Sequence, residues 1–95
     1  MEVSPQIATN TPVSRDELLD FIRPRHQAII ITQRAGGRPQ ASPVTCGVDG
    51  GGRIVVSTYP ERAKTRNARR DPRVSVLVLS DDFGGPWVQV DGTPR

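Results

Sequence analysis

The cleanest periodicity in the chain is WVQVDG (87–92), where apolar and polar residues alternate one by one. That is the period of a strand with one buried face. HQAIIITQR (26–34) and RIVVSTY (53–59) are short and β-branched, and RVSVLVLS (73–80) is nearly all apolar. Each predicts a strand, that of 26–34 a buried one. PQASPVTCGVD (39–49) alternates more weakly, setting Ala41, Pro43 and Thr45 against Gln40, Ser42, Val44 and Cys46. Pro39 and Pro43 have no N–H to give a ladder, so this strand is expected at an edge or with a bulge. AGGR and GGG separate the first three strands and predict an antiparallel meander.

Two segments read as helix. In VSRDELLDFIRP, Ser14 and Glu17 form a capping box, and Val13 can staple against Leu18. Leu18, Leu19 and Ile22 make a stripe, and Pro24 ends the helix by restricting Arg23, giving 15–23. The second helix is expected from Pro60, at its first position, to about Arg70, where Asp71-Pro72 stops it. Residues 1–13 are expected to be a flexible leader and 14–95 one domain. The order α–β–β–β–α–β–β predicts an α+β protein on a small antiparallel barrel with flanking helices. The last strand ends close to Arg95, so a partner or a further segment is needed to close the barrel's edges.

With 95 residues, 35% apolar and 4% aromatic, the chain has a thin core for one domain, so a partner subunit or bound cofactor is expected to help. The single cysteine, Cys46, excludes an internal disulfide, and with only His26 beside it a zinc site is not expected. No apolar run approaches membrane-spanning length, and MEVSPQIATNTPV has no signal-peptide pattern. A cytoplasmic, reducing setting without a membrane partner is expected.

Charge changes the picture more. Residues 61–73 hold six Lys/Arg and two acids, while the rest of the chain holds seven and eight. In PERAKTRNARR, Arg62, Arg66 and Arg70 fall at i, i+4 and i+8 and repel one another. Only Ala63 and Ala68 there are apolar, so the helix has little to bury. Ser57, Thr58, Arg62 and Lys64 could converge on one phosphate at the helix N-terminus. Two other readings stand beside this one. Charge runs usually form a solvated face. A basic stripe also suits nucleic acid, but Tyr59 is the only aromatic nearby and no nucleic-acid motif is present.

GRPQASPV, then IVVSTYPERAKTRNARRDPRVSVLVL, then WVQVDGT, together resemble the flavin split-barrel superfamily that includes pyridoxamine 5′-phosphate oxidases. Within it, the RAK-R-RRDPR pattern after a strand ending in Ser-Thr is similar to the deazaflavin (coenzyme F-420)-dependent branch. The resemblance implies an FMN-binding type of split barrel, a homodimer, and a cofactor in each cleft between subunits. It implies that Gln40, Ser42, Pro43 and Val44 lie along the cofactor ring. Ser57, Thr58, Arg62, Lys64 and Asn67 would hold the phosphate, and Trp87 would meet the partner's cofactor. Coenzyme F-420 is the first expectation and FMN the alternative. Arg66, Arg69 and Arg70 exceed what one phosphate needs and would suit the acidic tail of F-420. The chain stops at VDGTPR, short of the sixth strand and further helix that the resemblance implies, so a C-terminally truncated barrel is expected.

The function so implied is hydride transfer between the cofactor and a small organic substrate. No acid–base pair is visible, and no catalytic side chain is assigned. His26 reads as structural, and Cys46 as a small buried residue. The alternatives are a noncatalytic flavin- or haem-binding module, or a truncated relic, and less well a nucleic-acid-binding domain.

Overall fold

The computed structural model describes residues 1–3, 6–7, 13–58 and 62–94. Its elements in chain order are β1 (Glu2–Val3), β2 (Gln6–Ile7), α1 (Arg15–Ile22), β3 (Gln27–Gln33), β4 (Pro39–Val48), β5 (Ile54–Val56), α2 (Ala63–Arg70), β6 (Val74–Leu79) and β7 (Trp87–Gly92). The strands form one antiparallel sheet in the order β1-β5-β4-β3-β6-β7-β2. The meander β3-β4-β5 and the later pair β6-β7 are as the sequence predicts, with β6 added beside β3.

The N-terminal stretch departs from expectation. Rather than a free leader, Glu2–Val3 pairs with β5 and Gln6–Ile7 with β7, so one stretch meets both edges of the sheet. Val3 and Gln6 are three peptide units apart, a reach of at most about 11 Å. The sheet therefore curls on itself into a split barrel, and Val3 also bridges to Pro94. The physical reason is burial, since Val3 is fully enclosed in the core. The leader's remaining residues, 4–5 and 8–12, lie outside the described set.

Alternation sorts the faces. Ala28, Ile30, Val74, Val76, Val78 and Val90 point inward with Val3, Ile54 and Val56. Leu18 and Ile22 of α1 join this cluster and Leu19 is buried beside it, each such side chain contributing about 1.5–3 kcal/mol of burial. Helix α1 starts where the capping box placed it, with the Glu17 N–H donating to Ser14 Oγ at 3.1 Å. Arg15 reaches across to the Gly51 and Gly52 carbonyls at 3.3 and 3.2 Å, tying α1 to the glycine turn. Gly52 has a φ of +75°, a conformation that favours glycine.

Two elements are shorter than expected. Strand β5 ends at Val56, because β4 offers it partners only at Cys46–Val48 before the chain turns away. Helix α2 begins at Ala63, where the Thr65 and Arg66 N–H groups close the first turn on the Arg62 carbonyl. Pro60, the expected first helical residue, lies outside the described residues.

Candidate functional site

Strand β4 supplies the first wall. The Ser57 N–H donates to the Thr45 carbonyl at 3.1 Å, so the backbone of Thr45 faces the β5 side. Backbone direction alternates along a strand, so Pro39, Ala41 and Pro43 face that side too. Their partners there stop at Cys46, and from Pro39 to Val44 no other strand pairs on that side among the described residues. The two prolines thus put their missing N–H on an open edge, the placement their chemistry demands. The strand is central at one end and an edge at the other.

The side chains divide as the alternation predicts. Gln40, Ser42 and Val44 share the inward face with Ala28, Ile30 and Thr32, while Pro43 stands exposed on the outer face with Ala41 and Thr45. Of the four ring-contact candidates on β4, three therefore come together and Pro43 does not join them.

The second wall is the turn from β5 into α2. Thr58 is half-buried, and its hydroxyl meets that of Thr65 at 3.1 Å. Ser57 is exposed beside it. Arg62 caps α2 in an extended conformation (φ −69°, ψ 145°) with no side-chain cap hydrogen bond, and no acid lies in the first turn. Helix N-termini favour acceptors and negative charge. Here Arg62 and half-buried Lys64 add positive charge to the positive end of the helix dipole. An anion at this helix start would be favoured by both the dipole and the side-chain charges.

Helix α2 buries two polar side chains, Thr65 and Asn67, beside Ala68. Asn67 is only 6% exposed and Thr32 beneath it 0%. The Asn67 amide donates to Thr32 Oγ1 at 3.2 Å and Gln40 Oε1 at 3.3 Å, and its oxygen accepts from Arg70 at 2.6 Å. Asn67, expected on the phosphate, is thus engaged with the protein itself. Arg70, exposed like Arg66 and Arg69, turns back to Asn67 at 2.6 Å and to the Gln33 carbonyl at 3.3 Å. Thr32 and Thr65 were missed by sequence reasoning, because single threonines in a strand and in a basic helix carry no periodic signal.

Trp87 lies three strands from β4 in the sheet order, roughly 14 Å away at ordinary strand spacing, and is 61% exposed. The single chain does not bring it to the other candidates. His26 and Cys46 are accounted for structurally. His26 Nδ1 is 2.9 Å from the Cys46 carbonyl, and the buried Cys46 thiol meets the Arg25 carbonyl at 3.7 Å. Burial pushes that thiol's pKa up, away from nucleophilic use. Asp71 sits at the far end of α2, held down to about 2 chiefly by its hydrogen bond from the Arg73 side chain.

The sequence model described as pyridoxamine 5′-phosphate oxidase matches residues 14–95. The chain belongs to the pyridoxamine 5′-phosphate oxidase family. Solved structures agree. The conserved hypothetical protein Rv2991 from Mycobacterium tuberculosis is 27% identical with a TM-score of 0.74, over 93% of this chain and 56% of that one. An F420 reductase is 25% identical with a TM-score of 0.68, over 90% of this chain and 64% of that one. The chain thus spans between half and two thirds of these relatives' length. These likenesses place the chain by family and by fold.

Proposed function

We propose that this chain binds a phosphorylated flavin-type cofactor, coenzyme F-420 first and FMN as the alternative, for hydride transfer with a small organic substrate. The observation that carries the reading is the start of α2. A cation caps the helix, a second cation follows, no acid is in the first turn, and the open edge of β4 adjoins this turn. A phosphate suits that place: it accepts from backbone N–H groups, pairs with Arg62 and Lys64, and meets the Ser57 hydroxyl. The residues therefore fit the group.

The bound cofactor would supply the hydride-accepting or hydride-donating carbon, and the protein binds, orients and shields it. Gln40, Ser42 and Val44 form the inward wall along β4 in this reading. His26 is read as structural, its Nδ1 lying 2.9 Å from the Cys46 carbonyl. Exposed Arg66 and Arg69 favour the tailed cofactor, since they remain available for an acidic extension. Arg70 drops out of that set, being engaged with Asn67. The named F420 reductase among the structural relatives favours the same choice.

The second protomer belongs to this proposal. The outer sheet face carries half-exposed Ile29, Ile31, Leu77 and Leu79, with exposed Pro43 and Trp87 beside them. Covering this face with a second copy would bury it and bring Trp87 to the partner's cleft. Leu77→Glu is expected to yield monomers in analytical ultracentrifugation; a wild-type monomer would remove the homodimer from the account.

The test is equilibrium titration with FMN and with F-420 across a salt series. The expected result is binding of both, with F-420 tighter and more salt-dependent. Tighter FMN binding with equal salt dependence overturns the cofactor order, and binding of neither overturns the function. Binding without turnover of any reductant–substrate pair would favour a noncatalytic carrier.

A further inference from the structure

We propose that Asn67 is a positioning residue that fixes Gln40 as a hydrogen-bond donor toward the ligand on β4. This rests on the cofactor reading above. The argument begins at Arg70, whose guanidinium can only donate. Its Nη2 lies 2.6 Å from Asn67 Oδ1, so the carboxamide oxygen must face it. The Asn67 Nδ2 group is then on the other side, 3.2 Å from Thr32 Oγ1 and 3.3 Å from Gln40 Oε1.

A donor requires an acceptor, so Gln40 must turn its own oxygen to Asn67. Its Nε2 is left on the far side, 3.5 Å from Ser42 Oγ. The order of polarity thus runs Arg70, Asn67, Gln40, Ser42, each step dictated by the one before. Asn67 and Thr32 are both buried, and among the described residues no buried side-chain nitrogen or oxygen lacks a partner. Flipping the Asn67 amide would set its NH₂ against the guanidinium and its oxygen against Gln40 Oε1, which costs two part-buried hydrogen bonds.

The consequence for recognition is chemical. Beside Ser42, the half-buried Gln40 offers N–H groups and no oxygen. The ligand group it reads is therefore an acceptor, such as a ring carbonyl oxygen or an unprotonated ring nitrogen. Asn67 sits on the helix whose start holds the phosphate site, so the same hub also fixes the distance between the phosphate and β4.

Asn67→Asp separates this role from folding. The carboxylate keeps the bond from Arg70 but has no N–H for Thr32 or Gln40. The expected loss of affinity for FMN and F-420 is about tenfold. In a Gln40→Ala background the same change should add nothing, since Asn67 acts through Gln40. Without any cofactor, the Gln40 side-chain amide resonance should shift in the Asn67→Asp protein. Arg70→Ala removes the donor to Asn67 Oδ1 and should weaken binding about threefold, with Arg70→Lys restoring it.

Wild-type affinity in Asn67→Asp and in Arg70→Ala, or additive losses in the double variant, overturns the positioning role while leaving the cofactor reading intact. A wild-type chain that binds neither cofactor overturns both.

Discussion

Val3→Ala probes the segment that closes the sheet. Val3 is fully buried among Ile54, Val56 and the other core side chains, and it pairs with Ile54 while bridging to Pro94. The substitution deletes two methyl groups, about 1.6 kcal/mol of transfer energy, and the space left behind raises this to about 2 kcal/mol. A domain of this size holds only some 5–14 kcal/mol in total, so the loss is large. With a urea m-value of about 1 kcal/mol/M, the unfolding midpoint should fall by roughly 2 M, and the melting temperature by about 8–15 °C. Phe83→Ala is the control, because Phe83 is 91% exposed and should move the midpoint little. A free leader would place Val3 in water, and the substitution would then change stability by less than about 0.5 kcal/mol. Equal midpoints for the wild-type, Val3→Ala and Phe83→Ala proteins would refute closure by this segment.

Other expectations follow from single contacts. Gly52→Ala should cost about 1–2 kcal/mol, because a Cβ at φ +75° is strained and would meet Arg15 Nη2 at 2.7 Å. Gly36→Ala, with open space around it, should be near neutral in the same urea titration. Asp71 has its pKa lowered from 3.8 to about 2, so the folded state binds its proton less readily than the unfolded state. Its stabilising contribution is present above pH 3.8 and is lost as pH falls toward 2. Asp71→Asn should remove that part of the acid slope and no more, a small change because water screens the exposed Arg73 partner. A pH–melting profile for both proteins checks it, and identical profiles below pH 4 would contradict it.

Strong local signals made much of this fold legible in the sequence. The Ser14–Glu17 capping box fixed the start of α1, and the alternation from Gln40 to Cys46 sorted the faces of β4 correctly. Pro39 and Pro43 pointed to an edge; the structure resolves this as one open side of a strand that is central elsewhere. The N-terminal pairing was not legible, since two strands of two residues have no period to detect. Nor was the Asn67 hub. A helix with few apolar residues looked as though it had little to bury, yet it buries Thr65, Asn67 and Ala68 by satisfying the polar pair with hydrogen bonds. Charge clustering singled out the start of α2, where the anion site is proposed, but only tertiary contacts separate Arg70, which donates to Asn67, from the equally exposed Arg66 and Arg69.

The measurement that tests the central claim most directly is FMN and F-420 affinity in the Arg62→Ala/Lys64→Ala double variant, with Arg23→Ala/Arg34→Ala as a charge-matched control at exposed sites. If the start of α2 grips the phosphate, each lost charge-assisted contact costs about 1.5–3 kcal/mol, and the double variant binds a hundredfold or more weakly, by order of magnitude. The control should bind like wild type. Equal affinity in both double variants would contradict the account.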